Sequence, residues 1–182
     1  MQKVSNRDDH HIPYFEAIAT PDAQFRFHPL LSEAHIPGRH LNALLNAEAI
    51  GIPLDDRTLE NLRNAVVLSF SGPVCLPLNR QSIGEEPINF LPHNLREALH
   101  ALFALVKFRN DTWALDTSEK MIADILDLWS PHTGWNLEPF SNLGIHFWES
   151  EGFLHGEGRM IGPLAKYWKH TGYIPALKLA IM

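Results

Sequence analysis

The sequence predicts an all-α fold of antiparallel helical hairpins, and three observations carry that prediction. A basic residue follows a loop and opens an apolar, helix-period run at Gly38-Arg39, Leu95-Arg96 and Gly158-Arg159, 57 and 63 residues apart. Each run ends on a polar or glycine turn (Gly51, Arg109-Asn110-Asp111, Thr171-Gly172), after which a second helical pattern begins. No segment shows the sustained alternation of a half-buried strand, although two long loops have room for a short hairpin. A helix–turn–helix unit recurring at about sixty residues marks a repeat architecture. Residues 1–36 read as an N-terminal arm and residues 37–182 as the helical-hairpin domain.

The elements follow in order. The arm is polar and proline-interrupted to about residue 28. A first helix is expected from about Arg39 to Ile50, with Leu41, Leu44 and Leu45 on one face and Glu48 discordant on that face. Asp55 or Asp56 then caps a second helix carrying Leu59, Leu62, Val66 and Phe70. From Gly72 to Pro92 prolines break the pattern, and the apolar content there (Val74, Leu76, Leu78, Ile83, Ile88, Phe90, Leu91) favours a packed loop. Asn94 and Glu97 have the spacing of a capping pair at the start of the third helix, whose apolar stripe is Ala98, Leu99, Leu102, Leu105 and Val106. A fourth helix carries Met121, Ile122, Ile125, Leu126 and Trp129. A second long loop, Ser130 to Leu154, precedes a fifth helix that starts near Glu157 and carries Ile161, Leu164, Ala165 and Trp168. Pro175 opens a last helix that reaches Ile181-Met182 without a stop signal, which suggests completion by a missing C-terminal half or by a partner, a second copy among the candidates.

Bulk properties narrow the function. With 182 residues the chain can bury a substantial core. A net charge of −6 argues against a general nucleic-acid binder. The lone Cys75 excludes an internal disulfide and a cysteine-only zinc site, and its apolar surroundings read as packing. No apolar run approaches the ~18 residues of a membrane span. The N-terminus lacks the apolar core of a secretory signal, so a cytoplasmic address is expected.

Chemistry gathers before the odd helices. Pro37-Gly38-Arg39-His40, His93-Asn94-Leu95-Arg96-Glu97 and His155-Gly156-Glu157-Gly158-Arg159 should meet at one rim if the hairpins repeat around an axis. Helix N-termini and arginine forks there suit hydroxyl-rich or carboxylate ligands. The same residues also fit a local reading, with Asn94 and Glu97 as a cap and Arg39, Arg96 and Arg159 in structural ion pairs. His93, Glu97 and His100 share one helix face with metal-ligand spacing. Arg96 beside Glu97 favours ion pairing instead, and neither a metal nor a cofactor is expected. Glu149, Glu151 and Glu157 lie near Trp135, Trp148 and Phe153, a combination that suits acid/base chemistry on a sugar as well as simple pinning of a loop.

The phrase Glu157-Gly158-Arg159-Met160-Ile161-Gly162-Pro163-Leu164-Ala165-Lys166-Tyr167-Trp168, followed by Thr171-Gly172-Tyr173 and Pro175 through Ala180, resembles the helix hairpin of (α/α)6-toroid carbohydrate enzymes. Arg96 through Leu105 and Gly38 through Leu45 resemble weaker copies. The resemblance runs from about Pro37 to the C-terminus and is strongest to the beta-L-arabinofuranosidase-like glycoside hydrolases and their bacterial relatives. It implies about half of an (α/α) toroid, since six hairpins need roughly twice this length. Those hydrolases use a zinc-held cysteine nucleophile with a glutamate, and this chain lacks their cysteine cluster, so their mechanism does not carry over. The expectation is a carbohydrate-active, glycoside hydrolase-like segment binding a saccharide at the rim cleft. Glu151 and Glu157 are its candidate catalytic residues, and Arg39, His93, Arg96, Trp148, His155 and Arg159 its candidate substrate-binding residues. The competing class is a non-enzymatic helical-repeat module for binding or self-association.

Overall fold

The computed structural model describes residues 10, 12–13, 16–18, 24–82, 84–149 and 152–182. Helices dominate these residues: α1 (Ile36–Ala49), α2 (Asp56–Ser69), α3 (Leu95–Arg109), α4 (Thr112–Leu128), α5 (Leu137–Asn142), α6 (Ile161–Thr171) and α7 (Ile174–Ile181). The mainly-α class is therefore correct. The pairs α1–α2, α3–α4 and α6–α7 each pack as a hairpin.

Local chemistry accounts for the hairpin ends. The carboxylates of Asp55 and Asp111 accept from the backbone N–H of Thr58 and Ala114, both at 3.1 Å, capping α2 and α4. Asn110 (φ 50°) and Gly172 (φ 76°) take the left-handed conformation that lets a helix stop and reverse within two residues. Helix α1 begins three residues before the expected Arg39, because Pro37 occupies its first turn, where the missing N–H goes unused. The discordant Glu48 reaches across to Arg109, whose Nη2 lies 2.5 Å from its carboxylate.

The capping pair expected at α3 does not form. Asn94 lies in a 3-10 turn (Pro92–Asn94) with helical dihedrals and no capping bond. Its side-chain amide instead donates to the Leu30 carbonyl at 2.7 Å. Glu97 is thereby released from capping and points to other partners.

The two long loops contain short strands. In the first, β3 (Leu78–Arg80) pairs antiparallel with β4 (Pro87–Phe90). In the second, β5 (Trp129–Ser130) pairs antiparallel with β6 (Gly134–Trp135), and β7 (His146–Phe147) runs parallel to β4. Two further strands, β1 (Glu16–Ile18) and β2 (Gln24–Arg26), pair antiparallel in the arm. Strands of two to four residues are too short for alternation to register in a sequence.

Helix α3 is the centre of the body. Leu95, Leu99, Leu102 and Leu105 are buried, and the helix packs against α1, α4 and α6. Phe90 of β4 seals the strand side, stacked on Phe140 at 5.4 Å between centroids. The end of the arm joins this packing. Ser32, Glu33, Ala34 and His35 are buried, the Glu33 carboxylate pairs with Arg80, and Asn79 Oδ1 accepts from the N–H of Glu33 and Ala34 at 3.0 Å each.

Helices α1 and α3 lie side by side in the same direction. Gly38 meets Glu97 near their starts, and Glu48 meets Arg109 near their ends. A methyl group on Gly38 would stand 2.8 Å from the Glu97 carbonyl oxygen and 3.1 Å from its carbon. Both atoms belong to a helix backbone and cannot rotate away. Gly38→Ala gains roughly 1 kcal/mol in helix propensity but forces the helices apart. The expected net result is a destabilisation of about 1–3 kcal/mol, read as a lower urea midpoint at unchanged slope. An unchanged midpoint would show that the two helices separate without cost.

Candidate functional site

The three clusters before the odd helices meet around the carboxylate of Glu97. Its oxygen Oε1 lies 2.9 Å from Arg159 Nη2, 3.3 Å from Arg39 Nη2 and 3.5 Å from Arg96 Nε. The Glu97 side chain is 3% exposed and that of Arg159 14%, whereas Arg39 and Arg96 are about half open to solvent. Burial alone would raise the Glu97 carboxyl, but Arg96 and Arg39, the latter also by its hydrogen bond, hold the group below its ordinary value. A buried anion is thus kept charged by one enclosed and two half-open guanidiniums.

Two histidines complete the cluster in their neutral form. His93 Nδ1 lies 3.0 Å from the His155 carbonyl oxygen. Arg159 Nη1 lies against the same ring, 2.7 Å from Nδ1 and 2.6 Å from Nε2. Burial first and Arg159 second keep His93 below its ordinary value. His35 stacks on His93 at 5.1 Å, and burial lowers it to about 4 despite the opposing pull of Glu97. No sequence signal marks His35, which lies in the arm away from the repeated helix starts.

Glu157 belongs to a different space. It lines an open cleft of about 470 Å³ together with Trp129, Trp135, Phe147, Phe153 and Glu149. The β5–β6 pairing sets Trp129 opposite Trp135, and β7 brings Phe147 alongside. The Trp135 indole N–H donates to Glu157 Oε1 at 2.5 Å. Gly158 lets Phe153 close in, since a methyl there would meet the Phe153 ring at 2.8 Å. The 3-10 turn Glu157–Met160 therefore supplies a carboxylate to the cleft and, two residues on, a guanidinium to Glu97.

The remaining candidates are dispersed. Trp148 lines a second depression of about 340 Å³ with Phe140 and Ile145 and shares only Leu137 and Phe147 with the first cleft. Its indole N–H donates to buried Asn89 at 3.2 Å, which fixes the ring with one side open. His155 contributes its backbone carbonyl to the cluster while its side chain is exposed. Glu151 lies outside the described residues. Among the described residues no group of three His, Cys, Asp or Glu side chains is placed to hold a metal ion. The Cys75 thiol is buried and pushed up to about 11 by that burial, far from the thiolate a nucleophile requires.

No family model, no curated protein and no solved structure matches the chain. None of the described helices is long and apolar enough to cross a membrane.

Two outcomes are expected of the Glu97 cluster. Glu97→Gln leaves Arg159 enclosed without its counter-charge and should cost about 3–5 kcal/mol in chemical denaturation. Arg96→Gln, at a half-exposed position, should cost less than about 1 kcal/mol. Equal losses would mean that the carboxylate is not the hub. The second outcome concerns pH. The folded chain resists protonating His35 until about 4, whereas the unfolded chain takes up that proton near 6.5. This contribution to stability is complete above 6.5 and is lost as pH falls toward 4. His40, His93 and His100, also lowered by burial, act in the same direction. His35→Phe should reduce the slope of stability against pH in that window, and an unaltered slope would refute the assignment.

Proposed function

We propose that this chain is a carbohydrate-active, glycoside hydrolase-like segment whose helical hairpins form about half of an (α/α) toroid. The observation that carries this reading is the aromatic cleft in which Glu157 and Glu149 lie among Trp129, Trp135, Phe147 and Phe153. Sugar rings stack their C–H faces on aromatic rings, and glycoside cleavage needs two carboxyl groups flanking the scissile bond. Glu157, oriented by the Trp135 N–H, is the acid/base, and Glu149 is the second carboxyl. Trp148, with its N–H already engaged, is a stacking platform for a sugar unit in the adjoining depression. The side-by-side packing of α1 with α3 and of α3 with α6, with their starts gathered at Glu97, supports a toroidal arc.

A second reading has its own support. Ile174 and Ile181 on α7 are 64% and 76% exposed, which suits a module that binds a partner or a second copy of itself. Hydrolysis of an aryl-glycoside panel, followed alongside sedimentation velocity, separates the two. The enzyme reading expects turnover by the monomer, reduced about 10²–10⁴-fold in Glu157→Gln with the fold intact. Concentration-dependent association with no turnover on any glycoside would replace it with the module reading. Turnover unaffected by Glu157→Gln would remove that residue from the mechanism.

A further inference from the structure

Three guanidiniums face a single carboxylate at the rim, in a protein whose net charge is −6. Among the described residues Glu97 is the only acidic partner of Arg39, Arg96 and Arg159. Both histidines in the cluster are neutral, so they supply no further cation, and among the described residues no second anion pairs with these guanidiniums. The contacts are also uneven. Arg159 takes Glu97 at 2.9 Å, while Arg39 and Arg96 stand off at 3.3 and 3.5 Å with about half of each side chain open to solvent. Among the described residues each half-open fork meets Glu97 through one nitrogen and has no other hydrogen-bond partner.

Side chains in and beside the cluster carry unmet hydrogen-bonding capacity. His35 is 4% exposed and Asn94 fully buried, yet His35 Nδ1 and Asn94 Oδ1 have no partner among the described residues. Arg159 Nε is buried and equally without one. Buried polar atoms are almost always paired, and clustered exceptions call for an explanation. His35 stacks on His93, which in turn contacts Arg159, so two of the three unmet atoms belong to side chains within this one cluster. The starts of α1, α3 and α6 meet at the same place and add the positive ends of three helices.

We infer that the rim cluster of Arg39, Arg96 and Arg159 is a carboxylate-recognition subsite, and that the saccharide this chain takes is an acidic one, a uronic acid or an oligosaccharide bearing it. This rests on the carbohydrate reading above and specifies its substrate class. The planar forks of Arg39 and Arg96 match the two oxygens of a carboxylate, and the neutral histidines offer hydrogen bonds to neighbouring hydroxyls without competing for charge. The 3-10 turn Glu157–Met160 joins this subsite to the aromatic cleft, since Arg159 and Glu157 are two residues apart.

The test is a calorimetric titration of the full chain with matched pairs, glucuronate against glucose and galacturonate against galactose, with inorganic phosphate as the anion control. At least one sugar acid should bind at least about tenfold more tightly than its neutral partner, the worth of one charge-assisted hydrogen bond. That preference should vanish in Arg39→Gln/Arg96→Gln, whose half-exposed positions leave the core untouched. Arg96→Lys, which keeps the charge and loses the fork, should retain only part of the preference. Binding without preference for the acid in both pairs overturns the inference and leaves the saccharide reading standing. Phosphate binding as tight as that of the sugar acids, without any response to the neutral sugars, overturns the inference in favour of a general anion site. Binding of none of the sugars overturns both readings.

Discussion

A carboxylate buried near the start of a helix sets the terms for the rest of this molecule. Glu97 is almost wholly enclosed, and an isolated carboxylate in that position would take up a proton. It stays charged because guanidiniums arrive from three directions, each from the start of a different hairpin. That requirement fixes where Arg39 and Arg159 must be, and so how α1 and α6 lie against α3. It also explains the state of the histidines. Burial keeps His35 and His93 neutral, the neighbouring guanidiniums act in the same direction, and the two rings stack face to face. Gly38 belongs to the same logic, since α1 reaches Glu97 only because nothing larger than hydrogen stands between the two backbones.

Next to this charged hub lies an aromatic space built by different means. Its walls come from the loops, whose two-residue strands would be marginal alone and are held by ring packing around Phe90. Phe140 stacks on Phe90, while Trp135 meets it edge-on at 5.1 Å. The division of labour is physical. Charges need the preorganised helix starts, whereas rings need only a surface to lean on. A single short turn, Glu157–Met160, serves both spaces with alternate side chains.

How much of this was legible in the chain follows from the range of each interaction. The hairpins were visible because helix period, aspartate caps and the reversals at Asn110 and Gly172 act within a few residues. The repeated arginines were visible for the same reason. That they share one carboxylate was not, because Arg39 and Arg159 reach Glu97 from 58 and 62 residues away. Asn94 and Glu97 satisfied the local spacing of a cap, and the distant carbonyl of Leu30 decided otherwise. The short strands and the six-residue helix α5 left no periodic trace. Glu157 was recognisable as a candidate acid, but its bond to Trp135 depends on the β5–β6 pairing, which only the folded loop creates.

The difference in range has a kinetic consequence. Helices α3 and α4, like α6 and α7, are joined by two residues, so each pair can close on itself with little loss of chain entropy. The hub must instead bring together segments separated by about sixty residues, and loop closure over that distance is the slower event. Chain entropy therefore favours a hierarchical order, in which the hairpins close before the burial of one carboxylate fixes their arrangement. Until that happens the guanidiniums remain hydrated and mutually repelling, which discourages any docking that does not deliver Glu97 to the centre. A buried charge that is costly to leave unpaired thus acts as a register mark for assembly.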